Sequence, residues 1–154
     1  QFLKYKGAHV TAVCNTKNLA LVKSLGVDRT IDYLKEDFTK TNEKYDCIFD
    51  AVGKSTFGKC KHLLRKKGVY ISSELGPGAQ NPFLALVTPI FGGKQVKFPL
   101  PTKVMQSIRF IKGLIKEGKF RPVIDRTYPL EQVSEAYSYV LTGEKTGNVI
   151  LSMP

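Results

Sequence analysis

Four consecutive residues, Cys14-Asn15-Thr16-Lys17, gather the most chemistry at one point of this chain. They close a β-branched run, AHVTAVC at residues 8–14, and open a stretch in which Leu19, Val22 and Leu25 recur at helical spacing. At the end of a strand that meets an adenosine ribose, an aspartate or glutamate accepts hydrogen bonds from the sugar hydroxyls. Here an amide, a hydroxyl and an ammonium stand in place of that acid, a set better suited to an additional phosphate. A helix start adds backbone N–H groups and a dipole that favour an anion. The same residues would also serve as an ordinary N-cap followed by a surface lysine.

Other chemistry-bearing residues are less well placed. Asp46 and Asp50 flank the apolar run YDCIFDAV as a carboxylate pair of the kind used in acid–base catalysis, although Asp46 opens the run and is expected in solvent. His9 and His62 are not spaced as metal ligands with any cysteine, and no metal site is expected. Cys14, Cys47 and Cys60 are odd in number and lack a C-x-x-C pair, so they read as small buried apolar residues. No side chain is assigned a catalytic role.

The elements around these residues alternate. Strands are expected at residues 8–14, 29–33, 45–52 and 69–75, with helices at 19–25 and 56–67, the latter closed by Gly68. Residues 76–82 (GPGAQNP) are dense in turn formers, and the apolar segment 83–91 that follows reads as a loop or an element without clear period. Residues 95–100 (QVKFPL) form a strand bounded by Gln95 and Leu100 and stopped by Pro99 and Pro101. Thr102 then caps a helix with Val104, Ile108, Ile111 and Ile115 on one stripe and Gly118 at its end. A last unit has an extended run at 123–128, a helix at 130–141 and a strand at 148–153. Strands this apolar, alternating with helices, predict an α/β fold: a Rossmann-type doubly wound parallel sheet covered on both faces.

Bulk composition narrows the function classes. The chain has 154 residues, 42% apolar, enough for one core. No apolar run is long enough for a membrane span and no signal-peptide order is present, so a soluble, cytoplasmic protein without a membrane partner is expected. The net charge of +11 raises nucleic acid as a partner, but basic residues are spread along the chain and crowd only at Lys59, Lys61, Arg65, Lys66 and Lys67, read as a solvated helix face. A single-stranded RNA module would interleave aromatics with bases on strands, and Lys97-Phe98 is the one such pair. A methyltransferase using S-adenosylmethionine would present an acid where Cys14 and Asn15 stand.

No G-x-G-x-x-G turn precedes residues 8–14; QFLKYK at 1–6 reads as the back half of the helix that would follow it. The expectation is a sheet lacking its first strand and glycine turn, inactive by itself, with residues 1–120 a partial dinucleotide-binding domain and 121–154 a segment packing partly on an absent catalytic domain.

Taken together, GAHVTAVCNTKN, SLGVDRTIDYLKEDF, YDCIFDAVGKST and the ending GEKTGNVILSM resemble the cofactor domain of the medium-chain dehydrogenase/reductase superfamily, in its zinc-independent quinone oxidoreductase and zeta-crystallin-like branch. The resemblance covers essentially the whole chain. It implies NADPH as cofactor and hydride transfer to a quinone, an enone or another carbonyl compound, in subunits that form a homodimer through residues 95–100. It implies that Lys17 meets the adenosine 2′-phosphate beside Asn15 and Thr16, and that Tyr33 lies near the same phosphate and adenine. It places Ala51, Val52 and Gly53 by the ribose, and Ser72 and Ser73 by the nicotinamide. The bland roles remain beside these: Tyr33 as a half-buried strand residue, Gly53 as a strand-to-helix turn. The zinc-type alcohol dehydrogenases of the same superfamily are the neighbouring alternative, their catalytic ligands lying upstream of these residues.

Overall fold

The computed structural model describes residues 1–100 and 102–153; Pro101, expected to stop a strand, lies outside the described residues. The chain divides into two compact units, Gln1–Lys35 with Val104–Pro154, and Glu36–Lys103. Every strand pair is parallel, giving an α/β architecture of sheets in the orders β1-β2, β3-β4-β5 and β6-β7.

In the first unit, α1 (Phe2–Tyr5) leads into β1 (Thr11–Cys14), a single 3-10 turn at Thr16–Asn18, α2 (Leu19–Ser24) and β2 (Arg29–Asp32). Strand β1 starts three residues later than the β-branched run implied. The Asp28 carboxylate, held by Lys4 at 2.8 Å, takes the Val10 N–H at 2.6 Å and keeps it out of the ladder. From Thr11 opposite Arg29 the two strands run in register to Cys14 opposite Asp32, with Ile31 only 2% exposed. Helix α5 (Val104–Lys116) keeps the expected span, but its apolar stripe turns differently. Leu114 is its buried residue, Ile111 is half-buried, and Val104, Ile108 and Ile115 stay exposed. Phe110 is drawn instead toward Phe2, which stacks on Phe120 at 4.8 Å between ring centres. The last three elements, β6 (Ile124–Pro129), α6 (Val133–Leu141) and β7 (Asn148–Ser152), form a parallel crossover unit with Ala136 buried.

The second unit contains β3 (Tyr45–Asp50), α3 (Phe57–Cys60), β4 (Leu64–Ser72), α4 (Gln80–Val87) and β5 (Gln95–Lys97). Its core is Phe57, Cys60, Leu64, Tyr70 and Val96. Two expectations fail here. The helix expected over 56–67 ends at Cys60, passes through a 3-10 turn at Lys61–Leu63 and becomes strand at Leu64. Burial of the adjacent Leu63 and Leu64 anchors the chain at that point, and the basic residues that follow stand in an irregular start of β4. They are solvated, but not as a helix face. Residues 83–91, whose pattern has no clear period, lie largely in α4 and the 3-10 turn Thr88–Phe91. The Asn81 amide donates to the Glu74 carbonyl at 2.8 Å and its own N–H to Leu75, so the helix is started from the end of the preceding turn. Strand β5 closes at Lys97, short of Leu100. Among the described residues no helix is long and apolar enough to cross a membrane.

Candidate functional site

The polar residues singled out in the sequence collect at the carboxyl ends of two parallel strand pairs, one in each unit. At the first, β1 ends in Cys14 and β2 in Asp32, and Tyr33 donates its N–H to the Cys14 carbonyl at 3.1 Å. That places Asn15, Thr16, Lys17 and Tyr33 around one strand end. Asn15 is the cap: its side chain accepts the Asn18 N–H at 3.1 Å. The Thr16 hydroxyl donates to the buried Asp32 carboxylate, which also accepts the Leu34 N–H at 3.1 Å and lies 3.9 Å from Lys35. The Thr16 hydrogen bond, with the Leu34 N–H and the Lys35 charge, outweighs burial and holds the Asp32 carboxyl below the usual carboxylate range.

Lys17 differs from its neighbours. It is exposed and makes no hydrogen bond or ion pair among the described residues. Its charge is felt at Asp125, whose carboxyl is lowered mainly by the Thr146 N–H and the Tyr139 hydroxyl and last by Lys17. Tyr33 is 53% exposed beside it. Burial and the Asp32 charge push the Cys14 thiol up, so it stays protonated and is a poor nucleophile.

The second strand end is more closed. Asp50, the last residue of β3, accepts the N–H groups of Gly53 at 2.8 Å, Ser55 at 3.1 Å and Val52 at 3.3 Å, and the hydroxyl of Tyr70 at 3.0 Å. Burial alone would raise the Asp50 carboxyl; the Ser55 N–H, the Tyr70 hydroxyl and the other two N–H groups outweigh it and keep it low. The acid is thus a turn organiser, while Asp46 is exposed and ion-paired with Arg65. Gly53 adopts φ +71°, and a Cβ there would lie 2.6 Å from Glu74 Cγ, so the turn is both left-handed and tightly packed. Ala51 and Val52 are exposed on the same turn. Ser72 is fully buried, with its hydroxyl accepting the Glu74 N–H at 3.2 Å, whereas Ser73 faces outward.

Sequence reading missed Asp32 and the Asp50–Tyr70 pair. The D-x-x-G spacing of Asp50 and Gly53 was a usable turn signal. The Thr16–Asp32 and Asp50–Tyr70 bonds span 16 and 20 residues and leave no local pattern.

Comparison with known proteins fits this arrangement. Residues 25–151 match the family described as zinc-binding dehydrogenase. The chain belongs to that family. It is 30% identical over 98% of its length to the chloroplast envelope quinone oxidoreductase homolog of Arabidopsis thaliana, covering 47% of that protein. It is 32% identical over 96% of its length to the NADPH-dependent alkenal/one oxidoreductase, chloroplastic, of the same plant, covering 34% of it. The solved quinone oxidoreductase from Coxiella burnetii superposes with a TM-score of 0.78 at 23% identity, over 97% of this chain and 46% of that one, which shows the fold. The chain thus spans about half the length of the first of these relatives, or less.

The family's description names zinc, and the described residues do not fit it: no group of three or more His, Cys, Asp or Glu side chains is placed to hold a metal ion. His62 is engaged with the Thr39 carbonyl at 2.7 Å and Cys60 with the Ser55 hydroxyl at 3.2 Å.

Proposed function

We propose that this chain is part of an NADPH-dependent oxidoreductase that transfers hydride to a quinone, an enone or another carbonyl compound. The observation that carries the reading is Lys17: an exposed ammonium without a partner, at the strand end where an acid would otherwise receive a ribose. The names of the relatives, quinone oxidoreductase and NADPH-dependent alkenal/one oxidoreductase, agree with it. The cofactor supplies the hydride; the protein's part is to bind and orient it. Lys17 would hold the 2′-phosphate through a charge-assisted contact. Asn15 and Thr16 serve it indirectly, Asn15 by capping the turn that carries Lys17 and Thr16 by tying that turn to Asp32. Tyr33 offers an exposed aromatic face for adenine. Ala51, Val52 and Gly53 are assigned to the ribose, and Ser73 with the backbone at Ser72 to the nicotinamide.

The test is titration of the full-length protein with NADPH and NADH. Lys17→Ala should weaken NADPH about ten- to hundredfold and leave NADH nearly unchanged. Equal affinities for both cofactors before and after the substitution would refute the reading.

A homodimer through residues 95–100 and a cytoplasmic location belong to the same proposal. Strand β5 is the last in its sheet, although Thr88 already bonds the Val96 N–H at 2.9 Å, so pairing across a dyad would engage residues beyond Lys97. Sedimentation of the full-length protein at micromolar concentration should give a dimer; a monomer removes this assignment.

A further inference from the structure

We propose that an open cleft at the amino ends of β4 and β5 binds a small amphipathic anion, an aromatic or alkyl body carrying a carboxylate or phosphate. The cleft measures about 570 Å³, within the size range of small-molecule sites. Phe57, Leu64 and Phe91 give it an apolar lining, and Lys61, Lys66, Lys67 and Lys94 are the charged residues of that lining, with no acidic residue among them.

These charges are placed by structure. Between Tyr45 opposite Leu64 and Cys47 opposite Val69, four residues of β4, Arg65 to Gly68, stand against the single Asp46 of β3, and the first three of them, Arg65, Lys66 and Lys67, are exposed. Bulges of this kind re-aim side chains. Lys67 holds a left-handed φ of +65°, unusual for a residue with a side chain. Lys94 is fixed at the rim by donating to the Lys61 carbonyl at 2.8 Å, and Lys61 lies over the Phe57 ring at 5.9 Å. Arg65 is turned away to Asp46, which commits the adjacent carboxylate. Lys66 and Lys67 form no hydrogen bond or ion pair among the described residues. Four like charges around an apolar floor concentrate positive potential where a counter-charge with an apolar body would neutralise it. The concavity and the single wall of aromatic and leucine side chains favour a small molecule over a nucleic acid strand, which would need a longer track of aromatics.

This cleft is separate from the turn at Ala51 to Gly53. Val69 to Ser72 is three residue steps along β4, about 10 Å at about 3.3 Å per residue, and the cleft lies before the first of them.

The test uses the whole chain, isotope-labelled, titrated with naphthalene-2-carboxylate and followed by amide chemical shifts. The expected result is saturable shifts at Thr88 and Gly93, with binding about tenfold weaker for the neutral naphthalene-2-carboxamide and for the double variant Lys66→Glu, Lys67→Gly. Phe91→Ser, at a side chain 78% exposed and so without consequence for folding, should weaken it several-fold, and Lys17→Ala should not change it. Equal binding of acid and amide, shifts confined to residues 15–18, or binding of a uridine oligonucleotide at these lysines without binding of the carboxylate would each overturn the proposal.

Discussion

The carboxyl ends of β1 and β3 occupy equivalent positions in two parallel strand pairs, yet they use their polar residues in opposite ways. At the ends of β3 and β4 the carboxylate and one serine turn inward: Asp50 gathers three backbone N–H groups and the Tyr70 hydroxyl, and Ser72 closes on Glu74, while Ser73 faces outward. After β1, the inward role falls to Thr16 and Asp32, and Lys17 is left facing solvent unpaired. One turn is therefore fixed by its own carboxylate and leaves only its backbone and outer side chains exposed, while the other leaves a charge without a partner. A residue's type at a strand end does not decide between these uses; what decides is whether a partner from the neighbouring strand reaches it.

Breaking the closed turn should have the larger effect on stability. Asp50→Ala orphans the N–H groups of Gly53 and Ser55 and the Tyr70 hydroxyl, and should cost about 1–3 kcal/mol after allowance for partial solvent access, read by denaturant unfolding. The pH dependence follows from the same contacts. A carboxyl whose folded value lies below its unfolded value of about 3.9 stabilises the fold above that pH, and the contribution is lost as pH falls through the folded value. The acid limb of the wild-type stability profile should therefore flatten in Asp50→Ala; an unchanged limb would show that the network does not carry the charge.

A smaller effect is expected at the open turn. Thr16→Val removes the hydrogen bond that does most to hold the Asp32 carboxyl low, so Asp32 should titrate closer to an ordinary aspartate, measurable by carbon-detected NMR. Unfolding should change little, because Leu34 and Lys35 still serve the carboxylate. An unmoved Asp32 titration would remove the claim that Thr16 is turned inward.

Much of this was legible in the chain because it is local. The strand, cap and helix at residues 11–24 follow from a β-branched run, Asn15 and the Leu19–Val22 spacing, and all three are present, the strand three residues shorter at its start than the run implies. Parallel pairing was legible from strands separated by helices. The span 56–67 was not, because Leu63 and Leu64 fit a helical stripe and a buried strand start equally well until tertiary burial chooses. Residues 80–87 were obscured by glycines and prolines, although the helix takes Pro82 into its first turn and the left-handed glycines, Gly76, Gly78 and Gly92, lie outside it. At the candidate site, Lys17 is singled out by what its position lacks, an acid. Its lack of a partner was not readable, since the Asp32 carboxylate is taken by Thr16 and the Asp125 carboxylate by Tyr139 and Thr146, through bonds that leave no local pattern.

The central claim is that Lys17 is kept free for a phosphate on the adenosine ribose, and the most direct measurement omits the nicotinamide. Calorimetric titration of the protein with adenosine 2′,5′-bisphosphate and with adenosine 5′-monophosphate isolates the 2′-phosphate. The bisphosphate should bind about tenfold or more tightly, and Lys17→Ala should abolish that advantage while leaving the monophosphate unchanged. Equal binding of the two nucleotides to the unaltered protein, or an advantage that survives the loss of Lys17, would contradict the account.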